Sequence, residues 1–414
     1  MDLSGGRAHP ALRQPCRAGA VVDRRRAQCR RARRADPGRA EGRPRTGAFG
    51  CEDRRDDDAA RCDLVADPVR ALVTGASGFL GGALARRLVA DGEMDVSVLV
   101  RRSSKLTDLG DTSTLTLVYG DLTDRDSLFE ATRGVDVVFH SAARVDERGV
   151  REQFWNENVQ ATADLLEASR RNGVSRFVFI SSPSALMEYD GGDQIDVDES
   201  VPYPGRYLNL YSETKAAAER LVLEANGPDL ITCALRPRAI WGAGDRSGPI
   251  VRLLAKASEG SLPDISGGKD VYASLCHVDN IVDACVRAAS SDQVGGRPYY
   301  IADAETTNVW EFVGVVSRMF GFAPPSRRPN PRVLAAVVAV AEAIWRVPYI
   351  AKRWSPPLSR YVIALMTRSA TFDTGAARRD LGYRPVVDRD KGLAAFKDWV
   401  DEQGGLEALA APLR

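Results

Sequence analysis

The chain has 414 residues, 44% of them hydrophobic, with 57 Lys and Arg against 56 Asp and Glu for a net charge of +1. That length accommodates one large α/β domain with a substrate lobe, or two domains, and the apolar content is enough to fill a core. The near-neutral balance argues against nucleic acid as the main partner.

The charge is unevenly placed. Residues 1–66 hold 16 Arg, no Lys and 10 Asp and Glu, a net +6 that leaves −5 for the remainder. Eight residues of this leader come from Val, Leu, Ile, Met, Phe, Tyr and Trp, without a helical or strand period. Burial therefore cannot offset its ordering entropy, and a disordered Arg- and Ala-rich leader is expected. It has neither the apolar core of a secretory signal nor the composition of a transit peptide, and is consistent with upstream sequence translated from an early start codon. Cys16, Cys29, Cys51 and Cys62 lie in it at spacings that match no compact zinc pattern. Cys233, Cys276 and Cys285 fall in apolar runs and read as reduced core residues, which suits a cytoplasmic location. No metal site is expected.

From Arg70 onward strand-like and helix-like runs alternate, the pattern of a parallel sheet covered on both faces. Strands are predicted near 70–74, 95–100, 115–119, 135–140, 175–181 and 230–235, and helices near 79–91, 124–133, 151–172, 210–226 and 249–259. The expected fold is α/β, a doubly wound Rossmann-type parallel sheet over residues 67–236, with its ligand at the carboxyl ends of the strands. Beyond Arg236 the alternation loosens into a smaller C-terminal substrate lobe, 237–414, interleaved with the first domain. Helices are predicted there near 278–290, 308–320 and 375–381, with a short strand at 299–301. An apolar helix is expected near 333–350, interrupted by Glu342, Arg346 and Pro348 and so poorly suited to span a bilayer. It reads either as a cap on the substrate lobe or as an interfacial helix on a membrane, with Trp345, Tyr349, Lys352, Arg353 and Trp354 as boundary residues.

The first strand leads into the segment 71–81, ALVTGASGFLG. Gly75, Gly78 and Gly81 stand three apart, with Ser77, Phe79 and Leu80 between them. A strand-to-helix turn of this kind needs glycine where the backbone approaches a pyrophosphate, and the amides at the helix start then hold the phosphates. Further along, Tyr211 and Lys215 are four apart and share one helical face. Between these motifs the strand-like run FVFISS, 177–182, ends in hydroxyls. Glycine turn, then Ser182, then Tyr211 with Lys215 resembles the extended short-chain dehydrogenase/reductase family, over roughly residues 69–404.

The resemblance implies site roles. Tyr211 would be the general acid/base, and free tyrosine, with a pKa of about 10, is too weak an acid to lose its proton near neutrality. Lys215, with the positive charge of an oxidised nicotinamide, would favour the phenolate. Ser182 matches the family's catalytic hydroxyl, with Ser181 and Ser184 as nearby alternatives. Asp121 and Leu122 match the family's adenine-contacting signature, and Ala142 and Ala143 the small-residue stretch along which the cofactor lies. Asn158 would support the site. Pro237, Ala239 and Ile240 match the segment beside the nicotinamide. His140 and His277 read as structural.

The end of the second strand separates NAD from NADP, because a carboxylate there binds the ribose 2′-hydroxyl and arginine accommodates a 2′-phosphate. Arg101 and Arg102 occupy that place without a carboxylate. NADP(H) is therefore expected, with NAD(H) as the alternative.

Four further runs, PYPGRYLNLYSETKAAAE, RPRAIWGAGD, YYIADAETTNVWEF and ARRDLGYRP, resemble the 3β-hydroxysteroid dehydrogenase branch. This implies an NAD(P)-dependent oxidoreductase that interconverts a secondary alcohol and a ketone on a bulky apolar substrate, foremost a 3β-hydroxysteroid or sterol. Leu186, Met187, Leu208 and Trp241 flank the expected site and suit such a substrate. The alternatives are NADPH-dependent reduction of a long-chain 3-oxo acid or other apolar ketone and, outside enzymes, a nucleotide-sensing protein on the same fold. The expected partners are a small apolar substrate, a second copy of the chain through the helices near 151–172 and 210–226, and the inner face of a membrane through 333–354.

Overall fold

Two runs, VVFH and RFVFI, form strands whose every residue is buried, as expected of parallel strands covered on both faces. These are β4 (Val137–His140) and β5 (Arg176–Ile180), and they pair with each other. In this computed structural model residues 68–410 are described, apart from 146, 247, 355 and 357. The expected leader and its four cysteines lie outside the described residues.

The other strands of the main sheet are β1 (Val69–Thr74), β2 (Met94–Val100), β3 (Thr116–Tyr119), β6 (Ile231–Pro237) and β7 (Arg297–Ile301). All seven run parallel in the order β7-β6-β5-β4-β1-β2-β3. The order reverses between β1 and β4, which opens a crevice at their carboxyl ends. On one face α1 (Phe79–Asp91) and α5 (Val278–Ser290) bury Leu84, Leu88, Ile281 and Val282. The other face is covered by α2 (Arg125–Ala131), α3 (Ala161–Arg171) and α4 (Leu210–Glu224), through Leu128, Leu165, Ala218 and Val222. Local chemistry starts these helices: Asp124 accepts the Asp126 amide before α2, and Asn209 accepts the Ser212 amide at 2.9 Å before α4.

Two expectations change. The short strand at 299–301 belongs to the main sheet, paired with β6, with Tyr299 and Ile301 buried in that sheet's core and Tyr300 facing the lobe. The helix expected over 151–172 has three parts: Arg151–Phe154, a wider π-helical stretch Trp155–Gln160, and α3. The lobe itself is held by a four-stranded sheet of Thr307–Asn308, Tyr272–Ala273, Ala370–Phe372 and Gln194–Val197, the last contributed from ahead of α4.

The apolar segment forms the helix Pro331–Trp345, capped by Asn330, and a short helix Pro348–Ala351. Among the described residues, no helix is long and apolar enough to cross a membrane.

Candidate active site

The glycine turn follows β1 into the crevice. Gly75 has φ +74°, and a Cβ there would lie 2.7 Å from the Ala142 amide nitrogen, so only glycine lets the β1 and β4 ends meet. A Cβ on Gly81 would fall 2.3 Å from the Gly75 carbonyl oxygen, so α1 also packs on the turn through a bare backbone. Gly78 closes the turn, its amide donating to the Gly75 carbonyl at 2.9 Å. No side chain caps α1, and its first turn carries no acidic residue. The amides at its start are thus left to an anion, and the residues present fit a dinucleotide's phosphates. Ser77 is exposed beside them, while Phe79 is half-buried and Leu80 buried.

Ala142 and Ala143, both half-buried, leave β4 across the crevice from this turn, and the Ala142 amide donates to Thr74 Oγ1 at 3.3 Å. Thr74 Oγ1 also meets His140 Nδ1 at 2.7 Å, and His140 Nε2 meets Thr162 Oγ1 at 3.0 Å. Burial, aided by the charge of Lys215, pulls the His140 pKa down to about 3, so the ring is a neutral strut. At the ends of β2 and β3, Arg101 and Arg102 are exposed, and the Arg102 guanidinium lies 5.1 Å from the Tyr119 ring centre. Asp121 accepts from the Thr123 amide at 2.9 Å and the Thr123 hydroxyl at 2.7 Å, which lowers its pKa. Leu122 is half-buried against the α2 side of the sheet.

Ser182, Tyr211 and Lys215 converge where β5 ends against α4. The Ser182 hydroxyl lies 2.9 Å from Ser184 Oγ and accepts the Ser184 amide at 3.2 Å, with the Tyr211 phenol beside it. Ser181 is turned the other way, toward Glu219. Lys215 Nζ donates to the Ile180 carbonyl and lies 4.0 Å from the centre of the Phe179 ring.

Burial lowers the Lys215 pKa to about 7, partly opposed by Glu219 one turn further along α4. Burial raises the Tyr211 pKa, only partly offset by the Ser182 hydroxyl. This differs from the expectation that Lys215 lowers it. The ammonium is spent on a carbonyl and on Phe179, so desolvation of the phenolate dominates. A positive charge beyond those of the protein is needed to favour the phenolate.

Asn158 earns its place through the π-helical stretch: its Oδ1 accepts the Arg144 amide at 2.7 Å, and its Nδ2 donates to the Arg144 carbonyl at 3.1 Å and to Thr214 Oγ1 at 3.0 Å. One side chain thereby ties the β4 loop to α4.

Pro237 ends β6, Ala239 takes a left-handed φ of +47°, and Ile240 pairs with Cys276. Such strain in a residue with a Cβ marks a backbone held for close approach. The four residues expected to face substrate separate. Met187 and Leu208 cluster with Ala364, Tyr361 and Leu365, and the Tyr361 ring meets the Tyr211 ring edge-on at 6.3 Å. Leu186 packs instead with Tyr300, Ala370 and Phe372. Trp241, 1% exposed, lies in the lobe core against His277 and Phe312 and donates to Asp303 at 2.9 Å. Its apolar bulk serves packing between Asp303 and Phe312 rather than a cavity wall.

Sequence reasoning missed three groups. Glu219, spaced four from Lys215, carries a signal that could have revealed it. Arg238, buried and bonded to the Leu365 and Ala370 carbonyls at 3.1 Å, and Tyr361 have no local signature. Among the described residues no group of three His, Cys, Asp or Glu side chains is placed to hold a metal ion.

Known proteins resemble this chain over most of its described length. The profile of the 3-beta hydroxysteroid dehydrogenase/isomerase family matches residues 72–332. The 2-alkyl-3-oxoalkanoate reductase of Shewanella oneidensis is 32% identical over 346 residues, 81% of this chain and 87% of that protein. The 3-beta-hydroxysteroid dehydrogenase of Mycolicibacterium neoaurum is 32% identical over 368 residues, 84% of this chain and 98% of that protein. Among solved structures, MoeE5 in complex with UDP-glucuronic acid and NAD superposes with a TM-score of 0.62 at 26% identity, covering 81% of this chain and 99% of that one.

Proposed function

The chain belongs to the 3-beta hydroxysteroid dehydrogenase/isomerase family and is an NAD(P)-dependent oxidoreductase of the extended short-chain class, and from that premise we propose that it interconverts a secondary alcohol and a ketone on a 3β-hydroxysteroid or sterol. The observation that carries the reading is the convergence of the Ser182 hydroxyl and the Tyr211 phenol where β5 ends against α4, with Lys215 one turn beyond Tyr211 on the same helix.

Gly75, Ser77, Gly78, Phe79, Leu80 and Gly81 would hold the pyrophosphate, Asp121 and Leu122 the adenine end, and Ala142, Ala143, Pro237, Ala239 and Ile240 the nicotinamide end. A bound nicotinamide dinucleotide supplies the hydride acceptor or donor. Tyr211 Oη takes the substrate's hydroxyl proton in oxidation and returns it in reduction. Ser182 donates to the substrate oxygen as negative charge gathers on it. Lys215, held on the Ile180 carbonyl and against Phe179, ties α4 and its Tyr211 to the end of β5. Met187, Leu208 and Tyr361 give the apolar wall for a bulky substrate.

Arg101 and Arg102, exposed at the end of β2 without a carboxylate, favour NADP(H) over NAD(H). This same observation favours a second reading, NADPH-dependent reduction of a long-chain 3-oxo acid. Nicotinamide absorbance separates the two readings: a 3β-hydroxysteroid with NAD or NADP is compared with a long-chain 3-oxo acid with NADPH or NADH. Steroid-dependent reduction of the dinucleotide supports the first reading. Oxidation of NADPH with the oxo acid alone replaces it with the second. Dinucleotide binding without turnover of any alcohol or ketone would leave a nucleotide-sensing protein.

A further inference from the structure

Seven of the fourteen exposed large hydrophobic side chains among the described residues lie within 333–354. Four of them, Val333, Val337, Val340 and Ile344, are 43 to 59% exposed and recur at spacings of four and three, which places them on one side of the helix Pro331–Trp345, and Val347 follows, 48% exposed, at the turn into the short helix. The opposite side holds the helix to the body. Val338 and Ala341 are buried there, and the Ala351 carbonyl accepts the Gly149 amide at 2.8 Å. The outward apolar face is therefore a fixed surface.

Its surroundings identify the partner. Arg332, Arg346, Lys352 and Arg353 are all exposed, and none has an acidic partner among the described residues. Glu342, the one acidic residue of 331–354, is turned inward, accepting from Arg360 Nε at 3.2 Å and from the Tyr189 hydroxyl at 3.4 Å. Four exposed positive charges thus flank the apolar stripe along 332–353, in a chain that, from residue 67 onward, is net −5. Tyr349 and Trp354 stand exposed beside the basic groups, with ring centres 6.4 Å apart and the Arg353 guanidinium 3.9 Å from the Tyr349 ring centre. An apolar stripe edged by Arg, Lys, Tyr and Trp matches the boundary between anionic headgroups and acyl chains.

We propose that the segment 331–354 docks this protein on the surface of a bilayer that contains anionic phospholipid. The helix lies in the interface, because its 15 residues reach only about 22 Å against a hydrocarbon core of about 30 Å. A second copy fits the face poorly. In a two-fold contact of this segment with itself its basic groups would meet basic groups, with no exposed carboxylate among its described residues to pair them. Seven residues beyond Trp354, Tyr361 packs against Tyr211, so the docking segment leads directly into the helix Arg360–Thr367 that covers the site.

Flotation of the full chain with phosphatidylcholine vesicles, with and without phosphatidylglycerol, tests the proposal. It reads binding alone, so its outcome is independent of the reaction catalysed. Binding is expected to the anionic vesicles and not to the neutral ones. The triple variant Val337→Glu, Val340→Glu, Ile344→Glu should abolish it. The triple variant Arg346→Gln, Lys352→Gln, Arg353→Gln leaves the apolar packing intact and should lower the partition coefficient about 100-fold, about 5-fold for each charge removed. Circular dichroism checks that each variant is folded, and the glutamine variant keeps the test valid if the glutamate one is not. The arginine-rich residues 1–66 are the rival source of anionic binding and would give binding that neither variant reduces. That result, no binding to anionic vesicles, or a dimer dissolved by the glutamate variant would each overturn the proposal.

Discussion

Glu219 and Arg236 form a two-pronged ion pair beneath the site, with Arg236 Nε and Nη2 donating to the carboxylate at 3.0 and 2.6 Å and both side chains at most 2% exposed. Tyr203 adds a third donor at 2.6 Å. Burial works against the carboxylate, yet the guanidinium and these hydrogen bonds outweigh it and leave the Glu219 pKa lowered. Glu219→Ala strands the Arg236 charge and should cost about 3–5 kcal/mol of stability, read from denaturant unfolding. Adding Arg236→Met should recover most of the loss, because an apolar pair leaves no charge unpartnered. A loss unchanged in the double variant would show that the pair is not what Glu219 contributes.

Lys215 makes stability depend on pH. Its folded pKa of about 7 lies below the ordinary lysine value of 10.5, so between those values the unfolded chain binds more protons than the folded one. Stability therefore rises as pH increases from about 7 toward 10.5, and the full cost of charging the buried amine is present below that window. Thermal midpoints measured across the window should climb for the wild type relative to Lys215→Met. Parallel profiles would mean that the amine is not desolvated.

Gly81→Ala places a Cβ against the Gly75 carbonyl oxygen, where a separation of 2.3 Å cannot be accommodated without moving the turn. Dinucleotide affinity should fall about tenfold or more, which is about 1.4 kcal/mol. Tryptophan fluorescence quenching by NADPH reads the change. Retained affinity would separate the turn from the phosphates.

Replacing Arg101 and Arg102 together by alanine should raise the KM for NADPH about tenfold or more while leaving that for NADH nearly unchanged, because only the former loses charge-assisted bonds to a 2′-phosphate. Equal effects on both cofactors would remove these residues from cofactor selection.

The sheet was legible because strands buried on both faces read as unbroken apolar runs, as in 137–139 and 177–180. Tyr211 and Lys215 were legible because a spacing of four implies one helical face whatever the tertiary context. Three kinds of feature were not. Tyr361 lies 150 positions from Tyr211 and reaches it only through the folding of the lobe. The π-helical stretch around Asn158 has no distinct periodicity in six residues. Trp241 carries the same apolar signal whether it lines a cavity or fills a core, and its bond to Asp303 resolves which. The strand 299–301 is legible as a strand but not by its sheet, because a short apolar run does not reveal which sheet it joins.

The central claim is that the Tyr211 phenol moves the proton while hydride is transferred, and it is tested most directly by measuring turnover and dinucleotide binding in wild type and in Tyr211→Phe. Loss of the hydroxyl should lower kcat by about 10²–10⁴-fold and leave dinucleotide affinity within about twofold of wild type. A variant that keeps its turnover would contradict the account and send the search for the proton donor to Ser182, Ser184 and Tyr361.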